Sequence, residues 1–170
     1  MKVIDCQYKI HGKAILALFN DAITNSTALY EYQLRTPTDI EQWFKKKSQD
    51  NFPVIGIESS IGTLMGFASY GQFRPYPANR FTVEQAVYVS AEHQGKGVGK
   101  ALLEQLIIIA EQQKMHVIIA AIDDTNKTSI SLHERLGYVH SGTLKEVGFK
   151  FDRWLNLAFY QKCLSNLNSV

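Results

Sequence analysis

Residues 81–109, FTVEQAVYVSAEHQGKGVGKALLEQLIII, switch hydrophobic period once, and the switch falls on a glycine-rich turn. Val83, Gln85, Val87 and Val89 alternate with Glu84, Ala86 and Tyr88, the two-residue period of a strand. Val98, Leu102, Leu106, Ile109 and Ala110 then recur at the spacing of one helix face. Between them, residues 90–99 read SAEHQGKGVG, whose glycines let a backbone approach a ligand without an intervening Cβ. A helix opening on such a turn has unpaired N–H groups and the positive end of its dipole at that end. Strand, glycine turn and helix together predict a phosphate site.

Three phosphate-binding patterns use this arrangement, and two fail here. A Walker A loop, G-x-x-x-x-G-K-[ST], aligned on Gly99 and Lys100 would need glycine where Gln94 stands and a hydroxyl where Ala101 stands. The dinucleotide pattern G-x-G-x-x-G fits Gly95 and Gly97 but then meets Lys100. The acyl-CoA pattern [RQ]-x-x-G-x-[GA] is satisfied by Gln94, Gly95, Lys96, Gly97, Val98 and Gly99.

The remaining chain predicts one α/β domain over its 170 residues. Strands are expected at 2–8, 53–59, 63–71, 117–122, 138–147 and 154–162, besides the one preceding the turn. Helices are expected at 11–23, at 40–47 behind Pro37-Thr38-Asp39, and at 126–136, ended by Gly137. Residues 72–80 read as an irregular polar and aromatic loop, and no repeat or linker divides the chain. A net charge of +2 is too small to predict nucleic-acid binding, and Lys45-Lys46-Lys47 reads as a solvated helix face. Cys6 and Cys163 lack metal-ligand spacing, so no metal is expected; they lie in opposite terminal strands that could approach, with a reduced pair as the default. With no signal segment and no apolar run near the ~18 residues of a membrane span, a soluble cytoplasmic protein is expected.

Beyond the turn, Gly66-Phe-Ala-Ser-Tyr-Gly71, Phe73-Arg74, Thr82-Val83-Glu84, Val87-Tyr88-Val89, Leu132-His-Glu-Arg-Leu-Gly-Tyr138, Glu146-Val-Gly-Phe-Lys-Phe151 and Arg153-Trp154 carry a resemblance. Phe19-Asn20-Asp21-Ala22 and Tyr30-Glu31-Tyr32 extend it over nearly the whole chain. The chain resembles the GNAT superfamily of acetyl-CoA-dependent N-acetyltransferases, and within it the phosphinothricin and methionine sulfoximine acetyltransferases. The resemblance implies a mixed central sheet splayed near its middle and flanked by helices. It also implies acetyl transfer from acetyl-CoA, without a metal, to the α-amino group of a small amino acid or analogue. A homodimer that binds neither nucleic acid nor membrane is implied as well.

Transferring an acetyl group to an amine requires a free amine, a polarised carbonyl and a leaving thiol. The resemblance places Glu84 as the general base, whereas a strand glutamate would otherwise read as a solvated charge. It lays the pantetheine arm along Val87, Tyr88 and Val89, with a backbone N–H polarising the carbonyl. The pyrophosphate then rests on the amides from Gln94 to Gly99, with charge from Lys96 or Lys100. Asn126 would bind the pantetheine amides while also serving as a helix N-cap. Where many GNAT enzymes carry a proton-donating tyrosine, this chain has His133, whose ordinary pKa of about 6.5 suits an acid. Phe73, Arg74 and Pro75, with Arg80 in the same loop and Thr82, Val83 and Glu84 beyond it, are the expected acceptor contacts. An arginine fork there would suit an anionic head group. The alternatives are an acetyltransferase acting on protein or peptide N-termini, and a non-catalytic acyl-CoA sensor.

Overall fold

In the computed structural model, which describes residues 1–164, the glycine turn joins two halves of one seven-stranded sheet. The strands are β1 (Lys2–Asp5), β2 (Val54–Glu58), β3 (Leu64–Gln72), β4 (Thr82–Val89), β5 (Val117–Asp123), β6 (Val139–Lys150) and β7 (Arg153–Cys163). Their order across the sheet is β1-β2-β3-β4-β5-β7-β6, with β4 and β5 parallel and every other neighbour antiparallel. Four helices cover it: α1 (Tyr8–Asn25), α2 (Pro37–Gln49), α3 (Val98–Gln112) and α4 (Lys127–Arg135). The mixed, splayed sheet expected from the resemblance is thus the one observed.

Each sheet face has its own core, because strand alternation sends successive side chains to opposite sides. Val83, Ile118 and Ala120 join Leu102, Leu106 and Ala110 of α3 on one face. Phe67 and Tyr88 join Ile15, Phe19 and Ile40, from α1 and α2, on the other. Helix α2 starts three residues before its expected first turn because Thr36 and Asp39 form a capping box ahead of Pro37 at a helix-start position. Helix α1 also starts early, at Tyr8, where the Gln7 N–H donates to Nδ1 of His11 at 2.9 Å.

The last two strands run past their expected ends and meet at a turn of only Phe151 and Asp152, both at positive φ (52° and 55°). This hairpin clasps the loop between α1 and α2. Lys150, 5% exposed, donates from Nζ to the carbonyls of Ser26 and Leu29, each at 2.7 Å, and the Tyr32 hydroxyl donates to the Phe149 carbonyl. Tyr30 lies so close to Gly148 that a Cβ there would stand 2.6 Å from its ring.

The cysteines keep to their expected default, and the reading of the three lysines is corrected. Cys6 follows an edge strand and Cys163 ends β7, five strand spacings away, or about 24 Å at ~4.8 Å each. Both are free and cannot pair. The three lysines are not one solvated face: Lys45 and Lys46 are exposed and pair with Glu41 and Asp50, whereas Lys47 turns inward.

Candidate active site

The parallel ladder between β4 and β5 pairs Thr82 with Val117 and ends where Gln85 pairs with Ala120. At one end of the β3–β4 ladder the Ser90 N–H bonds to Met65, and at the other the Phe73 N–H bonds to Thr82. Antiparallel alternation therefore turns the backbone groups of residues 82, 84, 86 and 88 toward β3 and those of 83, 85, 87 and 89 toward β5. The Phe81 carbonyl, which accepts from His116 and Val117, agrees with that parity. Past Gln85 the strands diverge, so the N–H and C=O groups of Val87 and Val89 open into a wedge with no strand across it. An extended amide chain can bond there as a strand would.

The same alternation puts Glu84, Ala86 and Tyr88 on the face covered by α1 and α2. There they line a cavity of ≈ 180 Å³ together with Phe19, Arg35, Trp43, Lys47, Phe67, Ser69 and Tyr70. Burial raises the Glu84 carboxyl above its ordinary pKa. A carboxylate so placed is a stronger base than one in water. Arg35 is fixed by Glu31, which accepts from Nε at 3.0 Å and from a terminal nitrogen at 2.5 Å, and its guanidinium lies 3.9 Å from the Phe19 ring centre. Lys47 donates to the Tyr70 carbonyl at 2.8 Å.

At the wedge's open end, Gly95 and Gly97 take positive φ (72° and 81°), and a Cβ on either would meet nothing within 4 Å. Gly97 caps α3 in the left-handed conformation. Gln94, Lys96 and Lys100 are exposed around it, Lys100 lying 3.5 Å from Glu104. Gly99 lets α3 pack beside Leu132 and Val89, at 3.5 and 3.7 Å from its notional Cβ. An open turn of amides at a helix start, continuous with unpaired strand amides, fits a ligand with a phosphate at one end and an amide-bearing arm at the other.

Several expected contacts take other places. Tyr88 bonds its backbone to β3 and gives its side chain, stacked on Phe67 at 5.1 Å, to the cavity rather than to the wedge. The Val83 and Val98 side chains are each 1% exposed in the α3-side core, leaving only backbone for any ligand. Thr82 is half-buried at the start of β4. Phe73 closes the β3–β4 ladder opposite Thr82, while Arg74 and Pro75 are exposed beyond it, with the Arg74 guanidinium 5.6 Å from the Phe73 ring. None of Phe73, Arg74 and Pro75 lines the cavity. Arg80, also exposed, stacks on Phe81 at 4.3 Å. Asn126 is the N-cap of α4, its Oδ1 accepting from the Ser129 N–H at 3.0 Å.

His133, the expected proton donor, is held by hydrogen bonds at both ring nitrogens. Its Nδ1–H donates to the Ser129 carbonyl at 2.7 Å. Its Nε2 accepts from the Gln85 amide at 2.8 Å, and Oε1 of Gln85 accepts from the Tyr138 hydroxyl at 2.8 Å. Each polar atom of this chain is matched by its neighbour, which assigns the neutral Nδ1–H tautomer. Burial lowers the His133 pKa, against a smaller upward pull from the Ser129 carbonyl. Both ring nitrogens are thus engaged within the protein. His133 holds β4 to α4.

Among the described residues no helix is long and apolar enough to cross a membrane, and no group of His, Cys, Asp and Glu could hold a metal ion. The model of the acetyltransferase (GNAT) family matches residues 15–138. An L-methionine sulfoximine/L-methionine sulfone acetyltransferase of Pseudomonas aeruginosa is 43% identical over 92% of this chain and 91% of its own. A solved acetyltransferase of Salmonella typhimurium with its cofactor acetyl-CoA superposes with a TM-score of 0.95 at 33% identity, covering 100% of this chain and 97% of its own. A solved ribosomal-protein-alanine N-acetyltransferase of Brucella melitensis gives 0.94 at 40% identity over 96% and 100%.

Proposed function

The chain belongs to the acetyltransferase (GNAT) family, and on that premise we propose that it acetylates the α-amino group of a small amino acid or analogue of the methionine sulfoximine, methionine sulfone or phosphinothricin type. The observation that carries this reading is Glu84, a half-buried carboxylate with a raised pKa in a cavity beside the wedge. Acetyl-CoA, when bound, supplies the acetyl group as a thioester. Val87 and Val89 present N–H groups along the wedge, where a carbonyl oxygen can accept without competing with a strand. The amides from Gln94 to Gly99, with Lys96 and Lys100 around them, take the phosphates, and Asn126 at the start of α4 takes the amide part. Glu84 accepts the amine proton as the amine attacks. Because its pKa is shifted toward the amine's, roughly 8, it loses less in doing so. Nothing from His133 is needed: a thiol of pKa about 8.5 leaves tolerably as thiolate.

The cavity volume, ≈ 180 Å³, supports a single amino acid rather than a peptide, since sites for larger ligands run from about 300 Å³ upward. The similarity to a ribosomal-protein-alanine N-acetyltransferase favours a peptide N-terminus instead, and one experiment separates the two. Thiol release from acetyl-CoA is followed with methionine sulfone, methionine sulfoximine, phosphinothricin and alanine-initiated peptides, on the wild type and on Arg74→Ala. We expect turnover of the small amino acids and an acceptor KM raised about tenfold or more in Arg74→Ala, the cost of one charge-assisted contact, with the acetyl-CoA KM unchanged. Turnover of peptides alone would refute the reading.

The protein is also proposed to work as a cytoplasmic homodimer. Val139, Leu144, Val147 and Phe149 of edge strand β6, with Phe151 and Trp154, are each at least 45% exposed. An apolar edge strand invites a partner. Sedimentation at micromolar concentration should give twice the 19.2 kDa chain mass, and a monomeric mass would remove the dimer.

A further inference from the structure

Three charged side chains line the cavity, and two are accounted for by the protein or the chemistry. Arg35 is matched by Glu31, and Glu84 is the proposed base. Lys47 is different. Neighbouring carboxylates on α2 and just after it are committed elsewhere, Glu41 to Lys45 at 2.8 Å and Asp50 to Lys46 at 2.9 Å. Among the described residues none stands within ion-pair distance of Lys47. Its Nζ sits 5.4 Å from the Trp43 ring centre and 5.7 Å from that of Phe52, and it donates one hydrogen to the Tyr70 carbonyl. Two further hydrogens remain on an ammonium. Burial, helped by the Lys46 and Arg35 cations, has pulled its pKa down to about 8 against an upward pull from the more distant Asp50.

The cavity thus offers a base on one strand and an unanswered cation on the facing helix, with aromatic walls between them. A free α-amino acid carries the two complementary groups on one carbon. We propose that Lys47 holds the acceptor's carboxylate while Glu84 faces its amine, so that the site selects amino acids with an unblocked carboxylate over amides, simple amines and peptide N-termini. This assignment rests on the acceptor reading above and names what that reading leaves open, the group that measures the acceptor's backbone. Arg74, outside the cavity, is left to meet the far end of the side chain.

The test compares methionine sulfone with its carboxamide, at saturating acetyl-CoA, on the wild type, Lys47→Met and Lys47→Gln. The wild type should prefer the free acid. Both variants should raise the KM for the acid about ten- to a hundredfold, the cost of one charge-assisted contact. The KM for the carboxamide should barely move, so the preference collapses. An unchanged KM for acetyl-CoA shows that the variants are folded, and the Gln variant keeps a donor for the Tyr70 carbonyl. Equal losses on acid and amide, or a preference that survives in both variants, would overturn the assignment and leave the acceptor reading standing. A wild type that turns over alanine-initiated peptides and neither small compound would instead overturn the acceptor reading, and the Lys47 assignment with it.

Discussion

Glu84→Gln lowers kcat by about 10²–10⁴, the usual worth of a positioned base, while acetyl-CoA still binds. The amide is nearly the same size as the carboxyl and keeps the cavity wall intact; only the proton acceptor is gone. The deficit shrinks as pH rises, because more of the acceptor amine is already deprotonated in solution. In the wild type the rate falls on the acid side as Glu84 protonates, at a pH above that of an ordinary glutamate because burial raises its pKa. That limb disappears in Glu84→Gln. His133→Ala is the contrasting variant. It strands the buried Gln85 amide, a loss of about 1–3 kcal/mol that appears as a lower Tm. A more acidic thiol donor gives it no special rescue. Its stability also titrates differently. With the folded pKa of His133 below the unfolded value of about 6.5, falling pH protonates the unfolded chain first. The wild type therefore keeps this contribution above that value and loses it as pH falls through the folded pKa, whereas His133→Ala has none to lose. A wild-type rate in Glu84→Gln would refute the base, and selective rescue of His133→Ala by the acidic thiol would restore the acid.

Gly97→Val removes acetyl-CoA binding altogether as read by thermal shift. A ligand at about a hundred times its Kd stabilises by about 2.7 kcal/mol, and that increment should vanish. Beyond its chain neighbours, the added Cβ would meet no heavy atom of the protein within 4 Å. What it meets is the place proposed for the ligand, and a β-branched residue at φ 81° also strains the cap that aims the first amides of α3. A folded Gly97→Val protein with an undiminished shift would take the turn out of the site.

The strand, turn and helix around Gly97 were legible because their signals are local: a period of two, three glycines and a period of 3.6. Alternation alone also put Glu84 on the face opposite Val83. The cavity's other charges were not legible in that way. Arg35 lies in an irregular loop where no period applies, and it reaches the site only because Asn20 brackets it, donating to its carbonyl and accepting from its N–H. Lys47 was hidden in a run of three lysines, yet a signal existed. Ile40, Trp43, Phe44 and Lys47 follow the spacing of one helix face, so the third lysine continues an apolar stripe that the first two leave. The hydrogen bonds of His133 were not legible, because a motif position carries a residue type and not its partners. Only the fold shows Gln85 and Tyr138 waiting for it. The last hairpin was underestimated because Phe-Asp lacks the glycine or asparagine that usually announces a turn at positive φ.

The clasp between Lys150 and the carbonyls of Ser26 and Leu29 joins residues 124 and 121 positions apart. The loop it secures carries Arg35, and with it one wall of the cavity. Closing so long a span costs chain entropy before any contact repays it. During synthesis, therefore, the glycine turn and α3 can take shape soon after they leave the ribosome, but the cavity wall cannot be anchored until the final hairpin has emerged. The two ends of the proposed site mature at different times: the glycine turn early and from neighbours in sequence, the cavity late, when the α1–α2 loop meets the final hairpin. A chain stopped short of Lys150 would hold its first helices and its cradle without a secured place for the molecule to be modified.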